Sequence, residues 1–352
     1  MRTSPTRLSR VLNRTALLVA AATTVAVTGA CGGTGAGGSG GETVTVYSAD
    51  GLDGWYATQF EKFEAETGIA VDLVAAGSGE VVNRLEKEQS NPQADVVVTL
   101  PPFIQKADSA GLLEPHGVDT AAYPDTEKDP AGKYVSLAGN YLNFIAHSSV
   151  DASALTWDDL LKPEYRGKLQ YSTPGQAGDG TAVLILLQQL RGKQGALDYL
   201  NALQVNNVGP SSSTGKLQPK VDKGELLIAN GDIQMNMESI TASGSTFDIF
   251  FPASPGGAKH TVALPYFMGL AKGAPNSEGG RKLIEFLLSK DVQQTLGPDA
   301  FAVSARTDVS GTGSGTTPAS LLEGVEIVRP DWSRVLAELD ADLAAYNQAI
   351  GG

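Results

Sequence analysis

Positive charge is scarce in this sequence. Against 39 Asp and Glu there are 26 Lys and Arg, a formal net charge of −13. Four of the arginines lie in the first thirty residues, which hold no acid, so a chain without that segment would stand at −17. A surface of this sign disfavours nucleic acid and anionic lipid as main partners, because both require a basic face. It leaves an anionic small ligand open, since a pocket need not share the sign of the surface around it. Cysteine is nearly absent: Cys31 stands alone, so no internal disulfide and no cysteine-based metal site can form. Histidine is rare too. His116, His147 and His260 are far apart and belong to no ligand-spaced motif, and no metal or other cofactor is expected. The nucleophile pattern G-x-S-x-G is absent around any strand end, Gly77-Ser78-Gly79 being too short for it. No carboxylates are spaced in an obvious catalytic pattern, although pairing in space stays open. The expectation is binding without turnover.

Long apolar runs are also lacking. The segment Ala16 to Val27 is too short for a comfortable membrane span, but it follows Arg2, Arg7, Arg10 and Arg14. It ends in Thr28-Gly29-Ala30-Cys31, which resembles a bacterial lipobox. Residues 1–31 therefore read as a lipoprotein signal peptide with Cys31 as the lipidation site. The glycine-rich residues 32–41 read as a tether.

At 352 residues with 41% hydrophobic content, two domains are expected beyond the leader. Thr43 to Ser48 and Ile69 to Val74 are expected strands, with Tyr56, Phe60 and Phe63 on one face of a helix between them. From Gly77 to Phe103 come a glycine loop, a helix with Val81, Val82 and Leu85 on one face, and the apolar strand Ala94 to Leu100. The order strand–helix–strand–helix–strand implies a parallel sheet with right-handed crossovers. Ligands of such sheets bind in the loops beyond the carboxyl ends of the strands. Here those loops hold Ser48 with Asp50, Ser78 with Gly79, and Thr99.

From Tyr134 to His147 the chain is expected to cross into a second lobe, with Asn140 and Tyr141 near the crossing. There, Leu169 to Ser172 is a strand feeding the loop Thr173 to Thr181 and a strongly apolar helix. A glycine-rich loop that opens a helix leaves unpaired amides at the positive end of its dipole, which suits an anion. Asp179 or Thr181 could equally serve as a simple helix cap. The segment Gly209 to Lys216 is not a nucleotide phosphate loop. Five residues separate its glycines and Leu217 stands where a Ser or Thr is needed, leaving a hydroxyl-rich loop with Ser213 and Thr214. Leu226 to Ala229, Asp232 to Met237, Phe247 to Phe251 and Thr261 to Leu270 are expected strands, and Trp332 to Ile350 a final amphipathic helix.

With these pieces the chain resembles a bacterial solute-binding protein of an ABC importer, α/β and two-lobed (type II), with two crossing strands as hinge. The stretches Val44-Thr-Val-Tyr-Ser-Ala-Asp-Gly51, Gly77 to Glu88, Asn91 to Pro102 and Asn206 to Ser211 are similar to the 2-aminoethylphosphonate-binding subgroup. That subgroup is related to ferric-ion binders, in which adjacent tyrosines supply phenolates to Fe³⁺. Glu238 and Ser239 stand at those positions, so the residues themselves disfavour iron.

The resemblance implies residues 42–139 with about 263–310 in one lobe, 140–262 in the other, and 311–352 as a loop and helix packed on them. It implies no enzyme activity and a monomer that hands a phosphonate ligand to a membrane permease. The phosphonate would meet Ser48, Ser78, Gly79, Thr99, Thr173, Gly180, Thr181, Ser213 and Thr214. The ammonium would meet Glu238 first and Asp50 second, with Tyr141 or Tyr266 covering the two carbons. Not all of these can touch one small molecule. Another small oxyanion, an iron complex, or a secreted phosphoester hydrolase are the alternatives.

Overall fold

The computed structural model describes residues 43–309 and 316–351. The leader, the tether with Cys31, and residues 310–315 lie outside them. The first sheet opens with β1 (Thr43–Ala49), α1 (Asp53–Thr67), β2 (Ala70–Ala76), α2 (Ser78–Glu88) and β3 (Val96–Thr99). Both β2 and β3 pair with β1 in parallel, as the alternation of strands and helices requires. Trp55, Tyr56, Phe60 and Phe63 of α1 are buried, each contributing roughly 2–3 kcal/mol of hydrophobic stabilisation. The helix stops where Gly68 turns left-handed at φ 72°. On α2 the buried apolar residues are Val81, Val82 and Leu85, as their spacing predicts.

Helix α3 (Phe103–Ser109), β4 (Leu113–Glu114) and β5 (Tyr134–Ala138) follow. The chain then leaves this sheet through Gly139–Tyr141 and enters a second one at β6 (Leu142–Ala146). Next come β7 (Leu169–Gln170), α4 (Gly178–Leu203), α5 (Gln218–Asp222), β8 (Ile228–Asp232), α6 (Ile233–Ser243) and β9 (Asp248–Phe250). The second sheet runs β7-β8-β6-β9, with β7 and β8 parallel and the other pairs antiparallel. Strand β10 (Lys259–Val262) precedes the return crossing, and β11 (Tyr266–Ala271) closes the first sheet between β3 and β4. The two crossings are tied together, Leu264 N–H donating to Asn140 O at 2.8 Å and Tyr141 bridging Ala263. A two-lobed body with two crossing segments results.

Helices α7 (Ser277–Leu288), α8 (Lys290–Gln293) and α9 (Leu296–Ala300) complete the first lobe's covering; α10 (Pro318–Leu321), β12 (Val325–Val328) and α11 (Trp332–Ala349) end the chain. β12 pairs with β10, and α11 lies against both α4 and α3. Leu339 and Tyr346 are the fully buried residues of α11, and the Tyr346 hydroxyl meets that of Tyr171 at 2.9 Å.

Two expectations fail. Asp232 to Met237 is not a strand: β8 ends at Asp232, whose carboxylate caps α6 by accepting from Met235 N–H at 2.8 Å. The apolar–polar alternation misleads because Gln234 and Asn236 are buried with the apolar residues, Asn236 Nδ2 donating to Asn143 Oδ1 at 2.6 Å. Thr261 to Leu270 is likewise two strands, parted by the crossing at Ala263–Pro265.

Candidate ligand-binding cleft

The loops after β1 and β3 face those that open α4 and α6, and the lobes touch. Gly79 N–H, at the start of α2, donates to Gln176 O at 3.0 Å across the gap. Ser213 Oγ donates to the Asp50 carboxylate. Gly51, at φ 129°, brings the β1 loop so near that a methyl there would strike the Tyr266 hydroxyl and Gln234. Tyr266 Oη donates to Asp50 O at 3.0 Å. A cleft of about 410 Å³ opens at this seam, with Asp50, Asp53, Ser213, Gly215, Met235 and Glu238 on its walls.

The sequence-predicted residues fare differently. Ser48 is buried and its hydroxyl is already engaged, donating to Ala49 O at 2.9 Å and sharing a hydrogen bond with Tyr56 Oη at 3.2 Å. Thr99 Oγ1 donates to Ser78 O at 3.3 Å, steadying the start of α2 rather than facing open space. Ser78 is buried at the lobe contact, beside the position a Gly178 side chain would take. Thr173 Oγ1 accepts from Ser211 N–H at 2.9 Å, which joins the two hydroxyl-rich loops. Thr181 does not cap α4. Its Oγ1 accepts from Gly175 N–H and donates to Ala177 O, both at 2.9 Å, folding the turn before the helix.

Gly180 is set against the Ser172 carbonyl, where no side chain fits. Thr214 Oγ1 donates to Ser172 Oγ at 3.0 Å and lies against Asp179. Glu238 sits on α6 at the seam, over Gly54, accepting from Gln234 Nε2 at 2.9 Å. Tyr141 does not join the others. Its ring packs against the cluster of Ile233, Met237 and Phe251, and its hydroxyl faces Arg329 and Glu127.

The electrostatics of the seam are acidic. Burial raises Asp50 and Glu238 above the usual carboxylate range. Asp179, in the first turn of α4, is raised well above it by burial and then by Asp232. Burial pushes Asp232 up to about 6, with Glu238 adding to the effect. Tyr266 is raised by burial and by Asp232, Asp179, Tyr56 and Asp50, so these groups converge on its hydroxyl. Lys216, at the rim, is the cation that acts on Asp50. Among the described residues no lysine or arginine is buried. Among them, too, no group of three or more His, Cys, Asp or Glu side chains is arranged to hold a metal ion.

Donors are present as well. The buried amides of Gly178, Asp179 and Gly180 find no backbone acceptor among the described residues; the helix ladder begins with Thr181 N–H to Ala177 O at 3.1 Å. Behind the cleft walls, the seam thus holds unpaired amides at the positive end of a helix together with a group of carboxyls.

Residues 48–294 match the family model described as bacterial extracellular solute-binding protein. A periplasmic protein of Salmonella typhimurium is 46% identical over 313 residues, 87% of this chain and 91% of its own. The chain belongs to the bacterial extracellular solute-binding protein family. Proteins of this family are the extracytoplasmic binding components of ABC importers, not enzymes, and deliver small ligands to membrane permeases. The Salmonella relative is provisionally named as 2-aminoethylphosphonate-binding. Among solved structures, the ferric binding protein from Campylobacter jejuni superposes with a TM-score of 0.69 at 20% identity, covering 87% of this chain and 99% of its own. AfuA from Actinobacillus pleuropneumoniae, with fructose-6-phosphate bound, gives 0.75 at 19% identity over 88% of this chain and 99% of its own. At such identities the likeness is one of fold, the type II two-lobed fold of binding proteins. Among the described residues no helix is long and apolar enough to cross a membrane.

Three groups that the fold brings together around Tyr266 at the seam are not among the site residues expected from the sequence. In the sequence Asp179 reads equally as a cap or a ligand residue, Asp232 falls inside an expected strand, and Tyr56 lies on the inner face of a helix. Asp232 had a signal: an acid directly before an apolar run is a helix N-cap pattern. Nothing local marks Asp179 and Asp232 as partners, because 52 residues lie between them and only the fold joins them.

Proposed function

We propose that this protein captures 2-aminoethylphosphonate outside the cytoplasmic membrane, held there by a lipid on Cys31, and presents it to an ABC permease. The observation that carries the reading is the pairing, at one seam between the lobes, of unpaired helix-N-terminal amides with several carboxyls and, among the described residues, no buried cation. Amides and hydroxyls suit a phosphonate, whose oxygens accept many hydrogen bonds at a helix N-terminus. Carboxyls would repel a plain anion, so they make sense for a ligand that also carries an ammonium group. The 46% identity to the Salmonella relative supports the same ligand.

Titration calorimetry of the purified protein tests this with 2-aminoethylphosphonate, inorganic phosphate and ferric citrate as separate ligands. The expected result is tight binding of the aminophosphonate and weak binding of phosphate. Preference for phosphate or for iron would overturn the assignment. For the anchor, a Cys31→Ser chain expressed in cells is expected to leave the membrane fraction; unchanged membrane association would refute lipidation at that residue.

A further inference from the structure

Asp179 and Asp232 form the most unusual feature of the seam. They are 3% and 0% exposed, and they face each other. Asp179 Oδ1 and Asp232 Oδ2 have no hydrogen-bond partner among the described residues. A buried carboxylate oxygen without a donor is costly, by several kcal/mol in the ionised state, and two neighbouring ones cannot both stay charged unaided. The acids on the cleft walls that the seam also buries, Asp50 and Glu238, lack this open valence. Asp50 already receives the Ser213 hydroxyl, and Glu238, half-buried at the rim, already receives Gln234 Nε2.

The groups facing the pair come from every surrounding element. Thr214 and Asp50 face Asp179; Asn140 at the crossing and Glu238 on α6 face Asp232; Tyr266 on β11 lies beside both. None of these is a cation, and Lys216 reaches only as far as Asp50.

Resting on the aminophosphonate reading above, we propose that Asp179 and Asp232 are the ammonium subsite, and that the ligand's –NH₃⁺ replaces the proton the two carboxyls share. Two of the three ammonium N–H bonds satisfy Asp179 Oδ1 and Asp232 Oδ2. The displaced proton goes to solvent, and the pair passes from one negative charge to two as the cation arrives. Specificity follows from the same arrangement. A phosphonate without an amine leaves the pair holding its shared proton and gains nothing there, whereas the aminated one exchanges that proton for a cation with three N–H donors. Because Asp179 belongs to the first turn of α4, that turn offers donors for the anionic end and an acceptor for the cationic end together.

The test compares 2-aminoethylphosphonate with ethylphosphonate, which keeps the phosphonate and lacks the amine. Calorimetry near pH 6.5 in PIPES and in imidazole, whose ionisation enthalpies differ, reads protons released on binding. The ammonium lowers the second ionisation of its own phosphonate, so the headgroup of the aminated ligand releases fewer protons than that of ethylphosphonate, and an excess from the aminated ligand cannot come from the phosphonate. The wild-type protein is expected to release more protons with the aminated ligand. Asp179→Asn and Asp232→Asn are expected to weaken it by at least about 30-fold while leaving ethylphosphonate unchanged or tighter.

Equal losses for both ligands, or a larger loss from Glu238→Gln than from either Asn variant, would overturn the subsite. If a variant does not fold, the wild-type proton difference decides alone. A wild-type protein that binds both phosphonates equally refutes the ammonium subsite and leaves phosphonate capture standing. One that binds neither refutes both.

Discussion

A buried acid records its cost in the pH dependence of stability. The folded-state pKa of Asp232 is raised to about 6 from an ordinary value of 3.8, with burial as the main cause. A raised acid is protonated in the folded state over a range where the unfolded chain has already lost its proton. Its contribution is therefore complete below pH 3.8 and is lost as the pH climbs through about 6. The isosteric amide in Asp232→Asn keeps the oxygen that caps α6 and removes the titration. Ligand-free Asp232→Asn protein is thus expected to gain melting temperature relative to wild type between pH 4 and pH 7, by at least about 2 °C. Differential scanning at both pH values reads this directly. A constant difference between the two proteins would mean that Asp232 titrates normally in the fold.

Elements were legible wherever one rule governed the whole segment. α1, α2 and β3 each show a single burial pattern, on one face or on both, and each lies within a residue or two of where periodicity puts it. The lobe crossing near Asn140 was readable because a short apolar segment, Leu137 to Ala146, changes sheets without room for a helix. Failure came where two rules competed. Ile233 to Met237 alternates like a half-exposed strand, yet α6 is buried on several sides and the interior supplies amide partners for its polar residues. Candidate residues split along the same line. Thr99, Thr173 and Thr181 lie where strand and loop signals place them, but their hydroxyls build the loops. A sequence shows that a loop is polar; it does not show which hydroxyls the loop itself consumes. The tight setting of Gly180 against Ser172 is of the same kind, a packing demand that looks like a binding motif when read along the chain.

At the scale of the whole molecule the lobes are shut, and glycine makes the closure possible. Gly77 and Gly79 on the first lobe meet the carbonyls of Ser212, Gly175 and Gln176 on the second so closely that a methyl on either would collide with backbone. Apart, the lobes have no such conflict. Gly79 lies within α2 and its φ is not positive, so alanine suits its conformation and improves helix propensity by roughly 1 kcal/mol. Gly79→Ala should therefore penalise the closed state alone. A ligand that bridges the lobes gains its contacts only when they meet, so a variant that cannot close forfeits the contacts of one side. Small-angle scattering of wild-type protein is expected to show a smaller radius of gyration with saturating 2-aminoethylphosphonate. Gly79→Ala is expected to keep its ligand-free radius, to melt no lower than wild type without ligand, and to bind at least about tenfold more weakly. Compaction and affinity equal to wild type would show that the α2 contact with the Gly175–Gln176 turn is incidental to capture. A lower ligand-free melting temperature would show instead that the two lobes are already shut before any ligand arrives.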